Sequence, residues 1–333
     1  MKRLFEIKRH FPGEYVEGIL NHDRVMLSKA ITLAESKLAS DNELAGVVLG
    51  NILPYTGASV RIGITGVPGS GKSTFIENFG QFLTASGKRV AVLTIDPSSQ
   101  KTKGSILGDK TRMEALANDP NAYVRPSAAG ATLGGVHSKT REAMLLCEAC
   151  GFDVIIIETV GVGQSETSVK GIVDFFLLLM LSGAGDELQG IKRGIMEMAD
   201  CIAINKADGD NIKASQIAQS EYQNALHMFP SNENGWYPTA VTCSALNNTG
   251  ISDIWEIICN YTGLMKTSGY FATNRQQQNL QWMHDVIRDQ LQNSFYNYQP
   301  VKHSLDKIKQ EVATEKVPAI VAAKELLNIF FSR

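Results

Sequence analysis

The chain has 333 residues, 20% of them charged, and a formal net charge of −2. That length holds one large α/β domain with helical additions, or two domains, and the near-neutral charge offers no basic field for nucleic acid or an acidic membrane. Cys147, Cys150, Cys201, Cys243 and Cys259 form no disulfide framework and Met1–His10 has no apolar signal core, so a reducing, cytoplasmic setting is expected.

Residues 1–59 read as a helical region. Within Val25–Ala34, Leu27, Ala30, Ile31 and Ala34 fall on one stripe, and Pro54–Gly57 closes the region with turn residues. Residues 60–262 alternate apolar strands with helical stretches, the pattern of a mostly parallel sheet flanked by helices. The expected strands are Val60–Thr65, Arg89–Ile95, Ala122–Arg125, Asp153–Glu158, Phe175–Leu181, Cys201–Asn205 and Thr239–Thr242. The longest apolar run, Phe175–Leu181, is too short to span a bilayer. Ligands in such sheets sit beyond the strand C-termini, and the motifs below follow strand ends.

Gly66, Val67, Pro68, Gly69, Ser70, Gly71, Lys72 and Ser73 match G-x-x-x-x-G-K-[ST] and are followed by Thr74. A strand precedes this stretch and a helix, Phe75–Leu83, follows it, which is the phosphate-binding loop of a P-loop NTPase. Glycines let successive backbone N–H groups face the phosphates at a helix N-terminus. Lys72 is placed to reach the β- and γ-phosphates, and the Ser73 hydroxyl to hold Mg²⁺.

After the second strand, Asp96 and Asp109 lie in a polar segment. Two carboxylates there suit a switch closing over Mg²⁺ and the γ-phosphate, or a solvated loop using Asp-Pro turn chemistry. Ala129–Val136 is a glycine-rich stretch before a helix expected near His137. It is either a second loop at the site or a connection. The strand Asp153–Glu158 ends on an acid, with Gly161 three residues on, as in a Walker B and second-switch arrangement. Glu158 would reach Mg²⁺ directly or through water, and the Gly161 N–H would sense the γ-phosphate. Gln164 is a candidate for orienting water but is not adjacent to that glycine, so slow intrinsic hydrolysis is expected. Ser182–Lys192 is a long polar loop containing Asp186, Gln189 and Lys192, suited to a catalytic or partner-sensing element or to a plain turn.

Asn205, Lys206 and Asp208 form N-K-x-D at a strand end. Asp208 can accept from guanine N1–H and the 2-amino group, which adenine does not offer at those positions. Asn205 can bond the other edge of the base or pin the loop, and the Lys206 stem can lie on the ring. Downstream, backbone N–H groups of Ser244, Ala245 and Leu246 are candidates to reach guanine O6. Leaving a buried carboxylate unpaired rejects the wrong base strongly, which favours GTP over ATP. Cys147 and Cys150 form a lone C-x-x-C read as structural, and the histidines are scattered without ligand spacing.

Residues 263–333 change character. Trp282, Met283, Val286, Ile287 and Leu291 make an apolar stripe on a helix covering Leu280–Leu291, and another helix runs from about Pro318 through Leu327. This helical extension reads as a dimerisation or partner surface.

Ile64–Thr74, Thr94–Ser99, Ile157–Glu166 and Gly183–Lys192 closely resemble the MeaB/ArgK family, GTPases associated with methylmalonyl-CoA mutase and related to signal-recognition and nickel-inserting NTPases. The resemblance runs through the N-terminal helices and the G domain, more weakly through the C-terminal helices, which form the homodimer in that family. It implies Mg²⁺ held by Ser73, Asp96, Asp109 and Glu158, and a third switch in which Asp186, Gln189 and Lys192 couple hydrolysis to the partner. It also implies a GTP/GDP-dependent chaperone that gates adenosylcobalamin delivery to an acyl-CoA mutase and protects or reactivates it. Alternatives are a metal-insertion GTPase, which would call for a metal site, and a kinase of a periplasmic amino-acid transport binding protein, which N-K-x-D disfavours as an ordinary ATP user.

Overall fold

The computed structural model describes residues 9–95, 113–127, 133–159, 167, 169–183, 193–230 and 234–332. Strands β1 (Val60–Gly66), β2 (Val90–Ile95), β3 (Ala122–Ser127), β4 (Val154–Thr159), β5 (Phe175–Leu181), β6 (Cys201–Asn205) and β7 (Thr239–Thr242) make one seven-stranded sheet. Its order is β3-β2-β4-β1-β5-β6-β7, and every neighbouring pair is parallel. All the strands expected from the sequence are present.

Continuous apolar runs become strands here because both faces are covered. In β2, Val90 and Val92 enter one core, while Ala91, Leu93 and Ile95 enter the other. The first face is packed by α4 (Lys72–Ala85) and α9 (Ile251–Thr267). On α4, Phe75, Ile76, Phe79 and Leu83 are fully buried at helical spacing, and each such side chain contributes about 1.5–3 kcal/mol. The other face is packed by α1 (Pro12–Leu20), α2 (Arg24–Ala34), α3 (Ala39–Ile52) and α6 (Leu133–Ala149).

On α2, the expected stripe of Leu27, Ala30, Ile31 and Ala34 is buried, and Asp23 caps the helix by accepting from the Val25 and Met26 N–H groups. The short α5 (Glu114–Asn118) precedes β3, α7 (Arg193–Met198) precedes β6, and α8 (Ile212–Leu226) packs on β6 and β7. The helix expected near His137 begins earlier, at Leu133, so Gly134 and Gly135 lie inside its first turn rather than in the loop.

The chain divides into two compact units, Met1–Gln278 and Asn279–Arg333. Helix α10 (Tyr270–Asn297) begins in the first and ends in the second. In the first unit Arg275 is buried and donates to both Asp174 carboxylate oxygens, at 2.8 and 2.6 Å, and to the Gly57 and Ser59 carbonyls. Arg61 pairs with Glu148 beside it, at 2.8 Å. The second unit is made of the rest of α10, α11 (Gln299–Ala313) and α12 (Ala319–Phe331), around Val301, Ile308, Ala322, Leu326 and Phe330. α11 is not among the helices expected from the sequence, although Val301, Leu305, Ile308 and Val312 recur along it at helical spacing and enter this core. No helix among the described residues is long and apolar enough to cross a membrane.

Candidate functional site

β1 lies between β4 and β5, at the point where chain connections leave for opposite sides of the sheet, and ligands of such sheets bind beyond the strand C-termini at that point. The loop from β1 into α4 lies there. Gly66 is dictated by crowding, since a Cβ there would lie 2.3 Å from the Leu179 carbonyl oxygen on β5. Gly71 caps α4 with φ 82°, a left-handed conformation that disfavours other residues. Ser70 N–H donates to the Val67 carbonyl at 3.1 Å, closing the turn. Lys72 Nζ donates to the Gly66 and Val67 carbonyls at 2.8 and 3.2 Å, so the ammonium folds back over its own loop, where phosphates would meet it.

Ser73 Oγ donates to Glu158 Oε1 at 3.2 Å. Glu158 sits opposite Ile64 on β1 and Thr94 on β2, so the sheet register carries its carboxylate to the loop. Hydroxyl and carboxylate give an all-oxygen donor pair, which fits a hard divalent cation such as Mg²⁺. Beside them, Thr159 Oγ1 donates to Thr65 Oγ1 at 2.7 Å and ties the ends of β1 and β4 together.

The second half of the site is the β6 end and the loop after β7. Asn205 is buried and bridges two loops. Its Nδ2 donates to the Ser70 carbonyl at 2.8 Å, while its Oδ1 accepts from the Ala245 N–H at 3.0 Å. The Cys243 thiol, pushed up to about 12 by burial and so kept protonated, lies 3.6 Å from the same Oδ1. Lys206 holds φ 60°, uncommon for a side-chain-bearing residue. Asn211 Nδ2 holds its carbonyl at 2.7 Å, and Ser182 Oγ in turn donates to Asn211 Oδ1 at 2.6 Å.

Asp208 accepts from the Ser244 hydroxyl. The loop after β7 closes as a small antiparallel bridge between Ser244 and Thr249, with the Asn247 N–H on Ser244 Oγ at 3.1 Å. From α4, Asn78 Nδ2 donates to the Ala245 carbonyl at 2.5 Å.

The structure therefore brings together Gly66 through Thr74, Glu158, Asn205, Lys206, Asp208, Ser244, Ala245 and Leu246 at one rim of the sheet. Asp96, Asp109, Gly161, Gln164, Asp186, Gln189 and Lys192 lie outside the described residues. Cys147 and Cys150 are buried near the end of α6, and burial raises both thiols above their ordinary pKa. Motif reading missed Asn78 and Asn211, and placed Ser182 only as the first residue of the polar loop. None has a spacing signature; only the pairing of distant chain segments selects them.

A family model described as "Methylmalonyl Co-A mutase-associated GTPase MeaB" matches residues 27–299. A Caulobacter vibrioides protein is 50% identical, over 92% of this chain and 94% of that protein. The Escherichia coli GTPase ArgK is 46% identical, over 85% of this chain and 86% of that protein. The mouse mitochondrial methylmalonic aciduria type A homolog is 41% identical, over 99% of this chain and 82% of that protein. Among solved structures, a LAO/AO transport system kinase superposes with a TM-score of 0.77 at 35% identity, covering 98% of this chain and 99% of that one.

Proposed function

The chain belongs to the family of methylmalonyl-CoA mutase-associated GTPases, and from there we propose that it is a Mg²⁺-dependent GTPase serving as chaperone to an adenosylcobalamin-dependent methylmalonyl-CoA mutase. In this role it gates cofactor delivery to the mutase and protects or reactivates it, with hydrolysis of GTP to GDP and phosphate as the timing step. The observation that carries the nucleotide assignment is Asn205, one buried amide joining the phosphate loop to Ala245, next to the Ser244 that holds Asp208. A phosphate cradle and a base reader braced against each other suit one ligand carrying both groups.

In the proposed mechanism, backbone N–H groups of Gly69–Thr74 line the phosphates at the α4 N-terminus. Lys72 exchanges its loop carbonyls for β- and γ-phosphate oxygens. Asp208 accepts from the N1–H and 2-amino groups of guanine, held in line by the Ser244 hydroxyl. Ser73 and Glu158 would hold Mg²⁺ with Asp96 and Asp109; when bound, the ion neutralises charge developing on the β- and γ-phosphate oxygens. We assign Gly161 to sensing the γ-phosphate, Gln164 to orienting water, and Asp186, Gln189 and Lys192 to coupling hydrolysis with the partner.

We further assign homodimer formation or client contact to α10. Leu280, Met283, Ile287 and Leu291 follow one another at helical spacing and are exposed within the chain. Measuring GTP turnover alone and with the mutase of the same organism tests the reading. A low basal rate that rises sharply with mutase supports it. Turnover that ignores the mutase refutes the client assignment, and turnover surviving Lys72→Ala refutes the phosphate site. Transfer of labelled γ-phosphate to a transport binding protein would favour the kinase alternative.

A further inference from the structure

Asn78 lies six residues beyond Lys72 on α4, on the side facing the loop after β7. Its amide is half-buried, and its bond to the Ala245 carbonyl joins segments 167 residues apart. In a trans peptide the carbonyl and the following N–H lie in one plane and point in opposite directions, and among the described residues no peptide bond is cis. Drawing the Ala245 oxygen toward α4 therefore turns the Leu246 N–H away from α4.

The preceding peptide is fixed too, because the Ala245 N–H is held by Asn205 at 3.0 Å. Two consecutive peptide planes are thus pinned from different elements. Among the described residues the Leu246 N–H has no hydrogen-bond partner, although the Asn247 and Thr249 N–H groups do, both on Ser244. Ser244 in turn donates to Asp208. The loop therefore presents an open backbone donor a few residues from the carboxylate-holding serine, on a peptide that cannot rotate freely.

We propose that Asn78 is a positioning residue for base selection: it holds the Ala245–Leu246 peptide so that the Leu246 N–H meets the O6 of a 6-oxopurine. This rests on the guanine pocket assigned above, in which Asp208 reads the opposite edge of the base. The division of labour is chemical. Asp208 answers to the N1–H and 2-amino group, Asn78 through Leu246 to O6 alone. Among the described residues Asn78 hydrogen-bonds to the Ala245 carbonyl and not to the phosphate loop, Ser73 or Glu158, so its effect belongs to nucleotide affinity and to one edge of the base.

The test compares binding of GDP, IDP and 6-thio-GDP to the full chain, its Asn78→Asp and Asn78→Ala variants, and Asp208→Ala. IDP lacks only the 2-amino group, and 6-thio-GDP puts a weaker acceptor at the O6 position. Asn78→Asp keeps the side-chain shape but removes the donor; Asn78→Ala suits a helix and guards against a folding artefact. Loss of one oriented hydrogen bond lowers GDP affinity about 5- to 30-fold in both variants. The penalty for 6-thio-GDP shrinks while the penalty for IDP is retained, and KM for GTP rises with kcat unmoved. Asp208→Ala gives the mirror pattern.

If both penalties fall together in the Asn78 variants, or neither moves, the proposal is overturned while the pocket stands. If the unmodified chain fails to distinguish GDP from IDP, the pocket assignment itself is wrong and the role of Asn78 falls with it.

Discussion

Replacing Asn205 separates bracing of the phosphate loop from reading of the base. Asn205→Ala strands two buried groups, the Ser70 carbonyl and the Ala245 N–H. Each unsatisfied partner costs about 1–3 kcal/mol, so the nucleotide-free protein should lose about 2–6 kcal/mol in urea unfolding, less whatever water recovers at the opened site. Asn205→Asp is the more informative variant. It keeps an oxygen for the Ala245 N–H but sets a carboxylate against the Ser70 carbonyl, cutting the phosphate-loop tie alone. An oxygen facing an oxygen at 2.8 Å must move apart, and Ser70 is followed directly by the Gly71 cap of α4. The expected loss is about 1–3 kcal/mol of binding, or 5- to 150-fold, and it should be shared by guanine and adenine nucleotides. Competition titrations with GDP and ADP read it directly, with unfolding curves showing that the variant is folded. Should ADP affinity stay unchanged while GDP falls, Asn205 acts on the base only, and the brace between the two loops is refuted.

At Gly66, an added methyl would meet the Leu179 carbonyl at 2.3 Å, which is strand backbone and has little room to give. Gly66→Ala should therefore lower stability by about 1–3 kcal/mol, measured in urea; an unchanged midpoint contradicts the crowding. Arg275→Met removes the partner of buried Asp174 and should cost about 3–5 kcal/mol. Adding Asp174→Asn should return part of that loss, and a double variant worse than the sum of the singles would show that charge pairing is not the cause. Burial works against the Glu148 carboxylate, but its bonds to Arg61 more than offset this and leave its pKa below the ordinary 4.5. A lowered folded-state pKa contributes stability that is complete above 4.5 and disappears as the pH falls through the folded value. Glu148→Gln, though less stable at neutral pH, should show a shallower loss below pH 4.5 than the unmodified chain. Parallel curves would mean that Glu148 does not carry this dependence.

The elements most legible in the sequence are those whose causes are local. β4 and β5 announce themselves as Val154–Ile157 and Phe175–Met180, runs buried on both sides, because a parallel sheet between helices needs no polar face. The phosphate loop is legible because glycine, lysine and serine must stand at fixed spacing for one chain segment to surround a phosphate. Strand order was not legible. Nothing near β1 in sequence says that β4 and β5 are its neighbours. The same limit hides Arg61, Glu148, Asp174 and Arg275, joined across 87 and 101 residues. Each reads as an ordinary surface charge until the fold brings them together. Asn78 is hidden for a further reason: on α4 it occupies a polar position beside buried Phe75 and Phe79, so periodicity files it with solvent-facing residues although it is bonded to a loop.

Most of these bonds join separate chain elements rather than neighbours within one loop. Asn205 ties the phosphate loop to Ala245, Asn78 ties α4 to the same residue, and Ser182 ties the end of β5 to Asn211 and through it to Lys206. Ser182 immediately precedes the polar stretch that we assign to the partner. A displacement starting there meets the base-reading loop within two hydrogen bonds, and the phosphate loop only after passing Asn205. Coupling carried by such bonded contacts follows whichever elements both sites hold in place. A partner acting through that stretch would consequently bias how tightly the guanine is held before it altered the phosphates. Under that assignment a partner would regulate nucleotide retention as well as hydrolysis.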